Sequence, residues 1–202
     1  MSVRLRRSLL VLPFAALLLG GAAAARADDV ALQIGQAGAA NVRGDALHTL
    51  TALQAAQTLV FGRLTEQFAK VMPPAPAGWD ASPPESQSLD SIGGGMTVTR
   101  GYSNGDSTLN ASLLVDSPAV MSNSAQFRQT GALKPGWSRL EIGGEDALMR
   151  YDAADRVGEI MILLSDRVLL QIEGSDIGRS DLLVQAARGW NIAAIRRILG
   201  GG

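Results

Sequence analysis

Cysteine is absent from the 202 residues, and histidine occurs once, as His48. Without thiols the chain has no disulfide, no thiolate nucleophile and no zinc–thiolate site. Without a second histidine, Ser-His and Cys-His catalysis have almost no material. His48 itself falls in the first turn of an expected helix and reads as an exposed helix residue. Lysine is nearly as scarce: Lys70 and Lys134 are the only two, and neither completes a Ser-x-x-Lys pattern. The glycine runs Gly93-Gly94-Gly95 and Gly143-Gly144 lack the Lys-Ser/Thr and the following helix that a phosphate loop requires. No catalytic set and no cofactor is therefore expected.

What is present begins with a leader. Arg4, Arg6 and Arg7 precede an apolar stretch from Leu9 to Leu19, and Ala25-Arg26-Ala27 forms an A-x-A site before Asp28. The stretch is too short for a bilayer span of ~20 residues. Residues 1–27 are thus expected to be a signal peptide, cleaved near Ala27, with the mature protein periplasmic or secreted. No cysteine follows to carry a lipid anchor, and no later segment reads as a membrane span. Cleavage would take four arginines and no acid from the 18 basic and 19 acidic residues, leaving a net charge of about −5. That balance argues against nucleic acid and anionic membrane surfaces as partners.

Residues 28–44, rich in Ala, Gly and Gln, read as a flexible mature N-terminus. Asp45 looks like an N-cap, and residues 45–72 carry a helical stripe of Leu50, Leu53, Val60, Leu64, Phe68 and Val71. Such a helix is ~40 Å long. It either packs across a whole sheet or meets a partner, another envelope protein or a second copy. Five of the eight prolines lie between Pro73 and Pro84, so residues 73–95 read as an extended linker, with Trp79 as a possible pin.

Residues 96–202 read as an α+β sandwich domain. Asn104-Gly105 suggests a type I′ hairpin turn, which sets Met96 opposite Leu113, Val98 opposite Ala111, Arg100 opposite Leu109 and Tyr102 opposite Ser107. Ser117-Pro118 opens a short helix that stops near Gly131. Trp137 to Ile142 is a strand, turned at Gly143-Gly144 into a second from Asp146 to Tyr151. Ile160, Ile162 and Leu164 then alternate on one face, followed by Val168, Leu170 and Ile172. Closing that hairpin with Ser165-Asp166-Arg167 pairs Leu164 with Val168, Ile162 with Leu170 and Ile160 with Ile172, and burial selects this register because a one-residue slip would bring Gln171 and Glu173 onto the apolar face. Leu163 and Leu169 make the reverse face apolar at this end as well. Helical patterns follow from Asp181 to Arg188 and from Asn191 to Leu199. The expected fold is α+β: an antiparallel sheet of about six strands with a long N-terminal helix, a short crossover helix and a C-terminal helix packed on it.

The segments MPPAPAGW, GYSNGDSTLNASLLVDSP and YDAADRVGEIMILLSDRVLLQIEG resemble a group of uncharacterised exported proteobacterial proteins. Their element order is similar to the Mog1/PsbP-like sandwich. The resemblance implies a protein-binding or accessory role and transfers no site residue.

Four groups of residues are candidates for function. Arg100 and Tyr102 share the apolar hairpin face, where Arg100 either snorkels, pairs with an acid such as Glu141, or holds a ligand carboxylate. Trp79, Trp137 and Trp190 are core aromatics or pocket walls. Leu53, Val60, Leu64 and Phe68 form a partner surface if the sheet leaves them uncovered. Asp152, Asp155 and Glu159 are hard oxygen ligands near one turn, though without EF-hand spacing, and turn formation alone accounts for the two aspartates. The leading reading is an exported, soluble, non-catalytic accessory or binding protein. The alternatives are a carboxylate-based hydrolase using Asp152, Asp155 or Glu159 and a small-ligand carrier with an apolar cavity between helix and sheet.

Overall fold

The computed structural model describes residues 21–129 and 131–200. The first twenty residues of the expected leader lie outside this range. The chain divides between Leu59 and Val60 into two compact units.

The first unit is helical. Helix α1 spans Gly21–Val42, and α2 runs Ala46–Ala69, its residues from Val60 onward belonging to the second unit. Residues 28–44, expected to be flexible, are therefore mostly helix. Alanine is the strongest helix former, so an Ala-rich stretch needs no apolar stripe to wind. Asp45 caps α2 as expected: its Oδ1 accepts from the His48 backbone N–H at 3.1 Å and its Oδ2 lies 2.6 Å from His48 Nδ1. The bond from the His48 backbone N–H, helped by the ring contact, holds the Asp45 carboxyl below its ordinary range. Helix α2 ends at Ala69 rather than residue 72. Lys70 and Val71 close it with tight bonds to the Gln67 and Phe68 carbonyls, just before Pro73-Pro74, which forbid continuation.

The second unit is built on an eight-stranded antiparallel sheet, two strands more than expected. The additional two, β1 (Asp80–Ala81) and β2 (Glu85–Ser88), come from the Pro-rich segment read as a plain linker. Both pair with β3 (Met96–Asn104), so they form one edge strand broken at Pro83-Pro84. Next follow β4 (Ser107–Val115), helix α3 (Pro118–Phe127), β5 (Trp137–Ile142), β6 (Glu145–Asp152), β7 (Val157–Ser165) and β8 (Val168–Ser175). The C-terminal segment is two short helices, α4 (Asp181–Arg188) and α5 (Ile192–Ile198), rather than one. Strand order is β1-β3-β4-β8-β7-β6-β5. After the first hairpin α3 carries the chain across to the far edge, and the meander returns until β8 pairs with β4.

The β3–β4 hairpin departs from expectation by two residues. Asn104 pairs with Ser107, Arg100 with Ala111 and Val98 with Leu113. The loop is Gly105-Asp106, and of the two only Gly105 takes positive φ (59°), the II′ arrangement with glycine at the first central position. A shift of two preserves which face every side chain occupies. The β7–β8 hairpin pairs Ile160 with Ile172 and Ile162 with Leu170, as burial demanded. Its tip differs: Ser165 pairs with Val168 across a bulge at Leu164, which leaves an Asp166-Arg167 loop.

One sheet face carries Met96, Val98, Leu113, Ile160, Ile162, Leu170 and Ile172, packed against Phe68 and Val71 of the α2 end and against Leu183, Ala187 and Ile195 of α4 and α5. Each fully buried aliphatic contributes ~1.5–3 kcal/mol, which makes this face the main source of stability. Gly158 lies directly opposite Gly174, and a Cβ on either would meet the Leu183 side chain at 2.8 or 3.2 Å. The glycine pair is thus a notch that seats α4 on the sheet. The reverse face is apolar only at one end, where Val120 and Phe127 of α3 cover Leu148, Met161 and Leu169. The rest of that face is polar.

Candidate functional site

Arg100 and Tyr102, expected at a groove edge, instead fasten the Pro-rich segment to the sheet. The Tyr102 hydroxyl donates to the Pro73 carbonyl at 2.5 Å, and its ring is buried. Burial pushes the phenol up to about 12, with the nearby Arg100 charge pulling weakly the other way. Arg100 Nε donates to the Ser82 carbonyl at 3.0 Å, and its guanidinium sits 5.7 Å from the Tyr102 ring centre. Glu141 is not its partner, because Glu141 lies on β5 at the opposite edge of the sheet. The expected pin, Trp79, packs on the core edge, but the tether is made by Tyr102, Arg100 and the Ser82–Gly101 pairing.

On the polar face the register aligns one row across six strands. Trp137 of β5 pairs with Arg150 of β6, Arg150 with Glu159 of β7, Glu159 with Glu173 of β8, Glu173 with Asn110 of β4, and Asn110 with Gly101 of β3. Two carboxylates directly opposite repel. Here Arg150 Nε reaches Glu159 at 2.5 Å, and the Gln171 amide donates to Glu159 at 3.0 Å and to Glu173 at 3.1 Å. The guanidinium in turn lies 5.3 Å from the Trp137 ring centre. Partial burial raises the Glu173 carboxyl, Glu159 raises it further, and Arg150 opposes both. Above this row opens a concavity of about 980 Å³, lined by Gly101, Asn110, Arg150, Glu159 and Glu173 among others. Sequence reasoning missed the carboxylate pair, although Ile160 opposite Ile172 already implies Glu159 opposite Glu173.

Asp152 and Asp155 also line this concavity. Asp152 Oδ1 is committed to its turn, accepting from the Ala154 and Asp155 N–H groups at 2.8 and 3.2 Å. Glu159 is engaged by Arg150 and Gln171. The three acids weighed as cation ligands do not converge, and among the described residues no three acidic or histidine side chains are placed to share an ion. Chemically, the row offers hydrogen-bond acceptors, an excess of acidic charge and one carboxyl with raised proton affinity. It contains no nucleophile with an adjacent base. The third expectation, an apolar cavity between helix and sheet, is not what opens here: the concavity is on the polar face.

The helical stripe divides. Phe68 is fully buried and Leu64 packs against the core of the second unit, whereas Leu50, Leu53 and Val60 are 53%, 50% and 38% exposed. In the first unit burial runs opposite to size. Among its described residues the buried hydrophobics are Ala37, Ala40, Ala52 and Ala56, while Leu32, Ile34, Val42 and Leu47 are more than half exposed. Among the described residues no helix is long and apolar enough to cross a membrane.

Comparison with known proteins gave no match: no family model fits the chain, and no curated protein and no solved structure resembles it at a significant level.

Proposed function

We propose that this chain is an exported, non-catalytic accessory or binding protein, and that it meets its partner through the aliphatic face of α1 and the first half of α2. The partner is another exported or envelope protein. One observation carries the reading: alanines take the buried positions of these helices while leucine, isoleucine and valine face outward. Burying alanine removes little apolar area, so most of the hydrophobic free energy of this unit is left for a second surface to collect. The leader-like residues Arg4 to Ala27 support export, and the resemblance of the element order expected from the sequence to the Mog1/PsbP-like sandwich implies a binding or accessory role.

The test is crosslinking in the periplasm followed by mass spectrometry, on wild type and on a Leu47→Gln/Leu50→Gln/Leu53→Gln variant. All three positions are exposed, so the variant should fold with unchanged melting temperature and lose its crosslinked partner. An identical crosslinking pattern in both proteins sinks the reading. Edman sequencing of the exported product should begin at Asp28.

The polar concavity supports a second reading, the carriage of a small ligand bearing a positive charge or several donors. The Glu159–Glu173 pair with its raised carboxyl favours it. Titration calorimetry with simple diamines would detect such binding, and its loss in Glu159→Gln would assign it.

A further inference from the structure

The two edges of the sheet are finished differently. Beyond β3 the edge is the broken pair β1 and β2, short and interrupted by Pro83-Pro84, which blunts further pairing. At the other end β5 is the terminal strand: Trp137–Ile142 has no proline, no lysine and no bulge in its pairing with β6, and its two charges, Arg139 and Glu141, are of opposite sign. The Gly143-Gly144 loop makes Ile142–Glu145 a hydrogen-bonded pair, as in any two-residue hairpin. Alternation then directs the N–H and C=O groups of Arg139 and Glu141 away from β6. Trp137 N–H, on the same outward side, donates to the Lys134 carbonyl. Among the described residues nothing pairs with the outward groups of Arg139 or Glu141, and both side chains are exposed.

We propose that β5 is a self-complementary edge that pairs antiparallel with β5 of a second copy of this chain, continuing the sheet through a two-fold axis at Leu140. Only outward-facing residues can exchange hydrogen bonds, so the register moves in steps of two. Centring on Leu140 sets Arg139 opposite the partner copy's Glu141, and Glu141 opposite its Arg139. A step either way places Arg139 against Arg139 or Glu141 against Glu141, and like charges directly opposite disfavour both. Charge alone thus selects one register. Arg139 is already positioned for it, since Asp146 at 3.1 Å and the Phe127 carbonyl at 2.9 Å hold its guanidinium on the polar face. Glu141 has no hydrogen bond or ion pair among the described residues and is free to answer it. This surface belongs to the second unit and does not depend on the aliphatic face proposed above.

Light scattering and sedimentation on the full chain at about 100 µM, a level suited to a short edge contact, should give a dimer. Glu141→Pro removes an outward N–H without touching the ladder to β6, and Glu141→Arg sets like charges opposite each other. Both should be monomeric with wild-type circular dichroism and melting. Because the chain has no cysteine, Leu140→Cys is a clean probe. It sits on the axis at a non-hydrogen-bonded pair with Cα atoms ~4.5 Å apart, so mild oxidation should link it into dimers while Ser138→Cys stays unlinked. A monomeric wild type overturns the proposal, as does a dimer that survives both Glu141 variants. A dimer lost only in Leu47→Gln/Leu50→Gln/Leu53→Gln also overturns it, while leaving the proposed helix surface standing.

Discussion

Replacing Tyr102 with phenylalanine tests the account of how the Pro-rich segment is held. The change keeps the buried ring and removes only the hydroxyl that donates to the Pro73 carbonyl at 2.5 Å. Pro73 is itself buried, so its carbonyl is left without this donor, a penalty of about 1–3 kcal/mol at neutral pH. A second signature follows from ionisation. The folded-state phenol titrates at about 12 against an ordinary value of 10.0. Folding therefore favours the neutral form. This contribution is complete below pH 10 and is lost as pH rises toward 12, to a limit of about 3 kcal/mol. Urea unfolding followed by tryptophan fluorescence should show wild type ahead of Tyr102→Phe at pH 7, the gap narrowing between pH 10 and 12. With only two tyrosines in the chain, ultraviolet titration should show a component near 12 in wild type that vanishes in the variant. If no tyrosine titrates above about 11, or if the variant costs under about 0.5 kcal/mol, the hydroxyl is not the tether.

Three further outcomes are expected. Gly95→Ala should cost more than about 2 kcal/mol, because φ is +88° and a Cβ would stand 2.3 Å from the Val115 carbonyl oxygen; an unchanged melting temperature by calorimetry would contradict this. Glu173→Gln should be more stable than wild type at pH 7 and equal to it below about pH 4, since a raised carboxyl stabilises only below its unfolded value and loses that contribution as pH climbs through the folded one. A pH-independent difference in thermal melts would refute that. Asp116, bonded at 2.6 Å through both oxygens to Arg167, has its carboxyl held low by that guanidinium, so the pair stabilises above pH 3.8 and fades on acidification. Asp116→Asn should therefore lag wild type slightly at pH 7 and converge with it in acid, and a gap that persists at pH 2 would argue against the bridge.

Strands with strict alternation were legible from residues alone. Ile160, Ile162, Leu170 and Ile172 admit one buried register, and Trp137–Ile142 is bounded by turn residues at both ends. Other elements were hidden for separate reasons. Strands β1 and β2 have no alternation of their own; Glu85–Ser88 is exposed throughout and is extended because β3 offers an edge. Helix α1 has alanine where a helix signature would show leucine. In the β3–β4 hairpin the Asn104-Gly105 signal pointed to a loop one residue early, and a two-residue shift leaves burial indifferent. The candidate site was legible only in principle. Attention to acids near a turn found Asp152, Asp155 and Glu159, whereas the pairing of Glu159 with Arg150 and Glu173 emerges only when register is followed across strands instead of along the chain.

Strand β8 is the last to be synthesised, yet it occupies the middle of the sheet, between β4 and β7. A chain ending at Arg167 would hold two ribbons, one from the first hairpin and one from the β5–β7 meander, with no strand pairing between them and only α3 and the Asp116–Arg167 contact in common. Both halves of the main core, and both ends of the polar row, wait for the residues from Val168 to Ser175. Closure of this sheet is thus a late, long-range event that local contacts cannot complete in advance. A nascent polypeptide built this way keeps its sheet in two parts until the residues of β8 have emerged.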